Sequence, residues 1–174
     1  MTFHQGGPKL TRKRRTRGRR SVRRRRGGQK NVSAKAESPS FKQDDTQTTN
    51  YVYVFPQEEA ARAAYDGITS KDTRTCLAEG LVKGLGESGD VEAGESRTSR
   101  LAVDPLGDER EAARIVVPVT TQGVDADLIF DIVYVRTGRA IALCLFADAF
   151  SAFDDELRED LTGKVVRRLS AGIS

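Results

Sequence analysis

The stretch that decides the fold is residues 128–146, which read LIFDIVYV-RTGR-AIALCLF. Leu128–Val135 and Ala140–Phe146 are rich in β-branched and aromatic side chains and have the length of ordinary strands. The four residues between them are polar and include Gly138, which suits a tight turn. The sequence therefore predicts an antiparallel hairpin here.

The register of this hairpin sorts its side chains onto two faces. A two-residue turn at Thr137-Gly138 would pair Tyr134 with Ile141 and leave large apolar residues on one face. The other face carries Asp131, Val133, Val135, Ala140, Ala142 and Cys144, and is also largely apolar. Such a sheet needs cover on both sides. Either the loop 87–107 or the polar linker at residues 31–50 covers the second face, or a ligand or partner does. The candidate ligand-binding residues are Asp131, Val133, Val135 and Ala142.

Strand and helix signals extend outward from the hairpin in both directions. Tyr51–Phe55 predicts a strand, Ala60–Ile68 the apolar face of a helix, and Ser70 the N-cap of a second helix. After the hairpin, Ser151 or Asp154 begins a last helix. We therefore expect an α+β fold: a small antiparallel sheet with two helices after the first strand and a C-terminal helix.

Charge divides the chain into two segments of opposite sign. Residues 1–50 contain 15 Lys/Arg against 3 Asp/Glu, whereas residues 51–174 contain 14 against 22. A segment so rich in like charges and so poor in apolar residues cannot form a core. We predict that residues 1–50 are a disordered Arg-rich leader and polar linker, and that residues 51–174 form the folded domain.

The composition also restricts the chemistry of the domain. The only histidine is His4, in the leader, so residues 51–174 have no histidine for general-base catalysis or metal binding. Carboxylates such as Asp131 with Asp148 could form a catalytic pair, but no pattern places them in a cleft. No stretch has the length of a membrane-spanning helix or of an export signal. We therefore expect no enzyme activity, no metal, no cofactor and no transmembrane segment.

The two cysteines, Cys76 and Cys144, allow two interpretations. In a reducing compartment both would be small buried apolar residues, whereas in an exported protein they could form a disulfide. The hairpin register places Cys144 on the face away from the expected core. That placement disfavours a disulfide unless the second helix covers that face.

Several of these features together resemble the C-terminal part of the PknH-like extracellular sensor domains of actinobacteria, which also occur as lipoproteins. The matching segments are Tyr51–Pro56, Ala60–Ile68, Ser70–Leu85, Leu106–Asp108, Ile132–Arg139 and Asp154–Leu169. The resemblance implies a non-catalytic, extracytoplasmic ligand-binding or sensor-like domain, with an unknown small molecule or cell-envelope component as partner. Members of that family begin with a signal peptide and a lipobox cysteine. The Arg-rich leader differs from that pattern, and one hypothesis is that residues 1–40 are not the native N-terminus.

The leader itself supports an alternative function. Thirteen lysines and arginines lie between Lys9 and Lys30, with no aromatic residue among them. Such a segment could bind nucleic acid non-specifically through phosphates, in a protein that stays in the cytoplasm. The candidate phosphate-binding residues are Arg12, Arg14, Arg15, Arg19, Arg20, Arg23, Arg24, Arg25 and Arg26.

Overall fold

The structure is a computed structural model that describes residues 32–87, 89 and 91–173. The described chain forms eight strands and three helices. In chain order these are β1 (Ala34–Glu37), β2 (Phe41–Gln43), β3 (Thr46–Val54), α1 (Glu58–Ile68), α2 (Lys71–Glu87), β4 (Glu92–Ala93), β5 (Arg97–Leu101), β6 (Glu109–Thr121), β7 (Val124–Thr137), β8 (Ala140–Ala149) and α3 (Asp155–Ile173).

All eight strands belong to one antiparallel sheet. Its order is β1-β3-β8-β7-β6-β4, with β2 also paired to β3 and β5 also paired to β6. The predicted small α+β sheet is therefore wrong: the described part of the chain is strand-rich, with 43% strand and 33% helix. Two helices do follow a strand, and one helix ends the described chain. The strand before α1, however, is the third strand along the chain and not the first.

The first three strands correct the predicted boundary of the folded region. The polar segment expected to be a linker up to residue 50 contains β1, β2 and the first half of β3. Both β1 and β2 pair along β3, so they form one edge of the sheet. Residues 1–31, which include the arginine-rich segment, lie outside the described residues.

The β7–β8 hairpin has the predicted faces but a different register. Its turn is Gly138-Arg139, so Thr137 pairs with Ala140 and Tyr134 with Leu143. Gly138 has φ +52°, and glycine at the first central position of a two-residue turn is favoured for this reason. The predicted pairing of Tyr134 with Ile141 is wrong by two residues. Because side chains alternate with a period of two, that shift leaves each residue on its predicted face.

Helices cover both faces of this sheet. α1 and α2 pack on the face that carries Ile132, Tyr134 and Ile141. α3 packs on the opposite face, where Val165 and Val166 meet the core. The prediction that the loop 87–107 or the linker covers that face is thus only partly correct. Its main cover is α3, and the loop adds the side chains of Leu101, Val103 and Leu106.

The predicted starts of the last two helices are confirmed by their caps. The Ser70 hydroxyl accepts a hydrogen bond from the backbone N–H of Thr73 at 3.2 Å. The Asp154 carboxylate accepts one from the backbone N–H of Leu157 at 2.7 Å. Each cap satisfies a backbone donor that a helix N-terminus leaves unpaired. Asp154 thereby fixes the point at which α3 begins to run back across the sheet.

Candidate functional site

The residues predicted to bind a ligand lie in the core. Asp131, Val133, Val135 and Ala142 are each at most 1% exposed. All four lie under α3 or under the loop residues beside it, so no ligand can reach them. The predicted cleft over these four residues is therefore wrong, because α3 and the loop beside it cover them.

Asp131 instead joins α3 to the sheet. Its carboxylate accepts hydrogen bonds from Arg114 on β6, with Nε–Oδ1 and Nη2–Oδ2 distances of 2.7 Å. It also accepts one from Nη1 of Arg158 on α3 at 2.9 Å. Arg158 contacts Asp155 as well, at 2.6 Å, so two cations and two carboxylates balance. The hydrogen bonds to Asp131 raise the pKa of Arg114, which keeps that guanidinium charged.

The two cysteines lie on opposite sides of the sheet, and both are free. Cys76 is exposed on α2, whereas Cys144 is fully buried beneath α3. The proposed disulfide is therefore wrong: the sheet itself separates the two residues. Burial raises the pKa of the Cys144 thiol to about 12, which makes it an inert core residue.

A groove lies between α3 and strands β2 and β3, next to this core. We call it the α3 groove, and its volume is about 550 Å³. That volume is within the range of small-molecule sites. The residues that line it are Phe41, Lys42, Gln43, Thr46, Thr48, Asn50, Phe153, Leu157, Leu161, Lys164, Val165 and Arg168.

The α3 groove has its exposed apolar side chains at one end, where Lys42 also lies, and two cations, Lys164 and Arg168, at the other. α3 begins near Phe146, whose ring centroid lies 4.7 Å from that of Phe153 just before the helix. From there α3 runs toward the turn of the β7–β8 hairpin. Phe41 pairs with Thr48, and Thr48 pairs with Phe146 on β8. Phe41 therefore lies near the start of α3. Lys164 and Arg168 lie toward the other end, about two and about three helical turns after Leu157.

Exposed apolar surface is concentrated at the apolar end. Phe41 is 59% exposed and Leu157 is 47% exposed. In the described chain only two other large apolar residues are as exposed, Val124 and Phe150, and neither lines the α3 groove. Two exposed apolar side chains facing one concave surface are more typical of a binding site than of random surface composition.

The floor of the α3 groove contains polar atoms without partners. Thr48 Oγ1 and Asn50 Oδ1 are buried, and neither has a hydrogen-bond partner in the described structure. Both residues lie on β3, with side chains on the same face as Cys144 and Phe146. A buried polar group without a partner costs about 1–3 kcal/mol, so a bound molecule or water that satisfied these atoms would be stabilised.

Two further depressions, of about 620 and 560 Å³, lie at the end of the β6–β7 hairpin. Two of the three carboxylates that line the larger one are already engaged: Thr120 Oγ1 donates to Asp125 at 2.6 Å, and Arg97 pairs with Asp127 at 3.3 Å. Across the described residues, no group of His, Cys, Asp and Glu side chains is arranged to hold a metal ion. None of the three described helices combines the length and apolarity needed to cross a bilayer.

Comparisons with family models, with curated proteins and with solved structures found no significant match. The resemblance to the PknH-like sensor domains is therefore still a prediction.

Sequence reasoning missed the α3 groove because half of its lining lies in the segment interpreted as a linker. One signal was present: Thr46, Thr48 and Thr49 are β-branched and directly precede Tyr51, which favours a longer strand. The other wall was visible in the sequence, since Leu157, Leu161 and Val165 recur at four-residue spacing. Without β2 and β3 opposite, that stripe indicated only a core-facing helix.

Proposed function

We propose that this chain is a non-catalytic binding domain whose ligand occupies the α3 groove. The observation that carries the proposal is the combination of exposed apolar side chains at one end with unpartnered polar atoms on the floor. A sensor-like role and an extracytoplasmic location belong to the same proposal. Those two parts rest on the resemblance to the PknH-like domains.

The energetics favour an elongated, partly apolar ligand. Full burial of a Leu or Phe side chain stabilises a complex by about 1.5–3 kcal/mol, and Phe41 and Leu157 are each about half exposed. Covering both would therefore contribute on the order of 2 kcal/mol. Hydrogen bonds to the groove floor would add to this and would fix the orientation of the ligand.

The first prediction concerns the apolar end of the groove. In the double variant Phe41→Gln/Leu157→Gln, we expect the affinity for an uncharged fluorescent probe such as N-phenyl-1-naphthylamine to fall about tenfold or more. The reason is that both changes remove apolar contact area without adding charge. A fluorescence titration of the full chain measures the effect.

Val124→Gln provides the matched control, because Val124 is as exposed as Phe41 but lies in the β6–β7 turn. Its affinity for the probe should equal that of the original chain. If the double variant and the control bind the probe equally well, the α3 groove is not the binding site.

A second candidate function rests on the charge of residues 1–50, which contain 15 basic against 3 acidic side chains. We propose as the alternative that Arg12–Arg26 binds nucleic acid through phosphates. In a gel-shift assay with duplex DNA, affinity should fall by roughly 10³-fold between about 50 and 200 mM salt. Changing the ten arginines of this segment to glutamine should abolish binding, whereas changing them to lysine should preserve most of it. Binding that survives the glutamine changes would disprove this role.

A further inference from the structure

We infer that the ligand of the α3 groove is an anionic amphiphile: an unbranched apolar chain that ends in one acid group. The acid group lies beside Lys164 and Arg168, and the chain lies along Leu161 and Leu157 toward Phe41. This inference rests on the proposed binding function and specifies the chemistry of the ligand.

Charge is the first argument. Residues 51–174 carry 22 carboxylates against 14 basic groups, yet the lining of the α3 groove includes three cations and no carboxylate. The sign of the charge is thus reversed at the α3 groove relative to the domain as a whole. A second cationic depression, lined by Lys71, Arg74 and Arg100, differs because Arg74 and Arg100 both contact Glu111. The charge of the α3 groove favours an anion over a cation.

The state of the cations is the second argument. Lys164 Nζ forms a pair with Asp160 at 2.6 Å on the exposed side of α3. Arg168 is exposed, and no carboxylate of the described residues lies within ion-pair distance of its guanidinium. A guanidinium binds a carboxylate through two parallel hydrogen bonds, which makes Arg168 the stronger candidate for the acid group.

Shape is the third argument. The side chains that face the groove from α3 recur every three or four residues from Leu157 to Arg168, which spans about 16 Å along the helix. Leu157 and Leu161 come first in this row, Lys164 and Val165 follow, and Arg168 comes last. A chain lying along the row would therefore place its apolar part and its acid group against matching surfaces. At its apolar end it would lie against Thr48, and further along against Asn50, whose side-chain oxygens lack partners.

The test compares three ligands with similar chains and different head groups: decanoate, decan-1-ol and decyltrimethylammonium. Each is titrated into the full chain below its micelle concentration, at about pH 8, where carboxylic acids are ionised. Isothermal titration calorimetry gives the affinities. We expect decanoate to bind about tenfold more tightly than decanol, and the ammonium compound to bind most weakly. The preference for decanoate should decrease when salt is raised from about 0.02 to 0.3 M.

Two neighbouring substitutions assign the preference to the groove. Arg168→Gln should reduce the decanoate-to-decanol affinity ratio to near one. Arg167→Gln is the matched control, because Arg167 is exposed on the same turn of α3 but does not line the groove. This variant should keep the ratio of the original chain.

The outcomes separate the inference from the proposed function. If decanol binds as tightly as decanoate, or the ammonium compound binds best, the inference of an anionic head group is wrong, while the groove remains a binding site. If Arg167→Gln lowers the ratio as much as Arg168→Gln does, the acid group is not held at the groove. If the neutral probe and all three decyl compounds fail to bind, both the inference and the proposed function are overturned.

Discussion

Changing Asp131 to alanine should lower the free energy of unfolding by about 3–5 kcal/mol. Asp131 is fully buried and is the shared acceptor for Arg114 and Arg158. Without it, the Arg158 side chain, which is 4% exposed, would remain buried with only Asp155 as a counter-ion. Breaking such a cluster by removing one partner leaves an uncompensated buried charge, which costs far more than an exposed pair contributes. Urea unfolding followed by circular dichroism measures the change.

The matched control for this substitution lies on the same strand. Asp127 pairs with Arg97 at 3.3 Å, but both side chains are largely exposed. An exposed pair contributes about 0–1 kcal/mol, so Asp127→Ala should have little effect. Equal losses from Asp127→Ala and Asp131→Ala would contradict the assignment of Asp131 as the link between α3 and the sheet.

A triple replacement separates the charge from the packing. In Arg114→Met/Asp131→Leu/Arg158→Met, both cations and the buried carboxylate become apolar at similar volume, and only Asp155, whose side chain is 73% exposed, stays charged. We expect this variant to regain most of the stability that Asp131→Ala loses, since apolar replacement of a whole buried ion cluster is often neutral or stabilising. A triple variant as unstable as Asp131→Ala would mean that the geometry of the hydrogen bonds, and not charge balance, holds α3 in place.

The hairpin faces were predictable because side-chain alternation is a local property. Assigning Leu128–Val135 and Ala140–Phe146 as strands fixes which residues share a face, even with the turn misplaced by one residue. β1 and β2 were not predictable in this way. They are short and exposed, with the sequences AKAE and FKQ, and they are stabilised by pairing with β3 and not by burial. Edge strands of this kind leave almost no hydrophobic pattern.

The face of the sheet that α3 covers could not be predicted for a different reason. An amphipathic helix can cover either face of a sheet that is apolar on both sides, and nothing within residues 154–169 decides which. The decision depends on Arg114, Asp131 and Arg158, which are separated by 17 and 27 residues in the chain. From sequence, a charged residue on an apolar strand suggested a ligand. In the structure it identifies the helix that covers that strand and forms one wall of the α3 groove.

Gly107→Ala should be about as damaging as Asp131→Ala, with a loss of about 3–5 kcal/mol in the free energy of unfolding. Gly107 has φ +64°, and a Cβ at this position would lie 2.6 Å from both the Arg136 carbonyl oxygen and Val135 Cγ1. Because one of these atoms belongs to the backbone, the 106–109 segment would have to move away from the hairpin. That movement breaks the bonds from Asp108 N–H to the Arg136 carbonyl and from Gly138 N–H to the Asp108 carboxylate.

Gly123→Ala distinguishes this steric contact from the cost of the backbone conformation. Gly123 has φ +78°, but a Cβ there would meet no atom within 4 Å. Its substitution should therefore cost only the conformational strain, about 1–2 kcal/mol. Thermal and urea unfolding of both variants measure the difference. If Gly107→Ala costs no more than Gly123→Ala, the 106–109 segment is not held against the β7–β8 turn. A larger loss at Gly107 would show that close packing of this glycine fixes the hairpin on which both covered faces of the sheet depend.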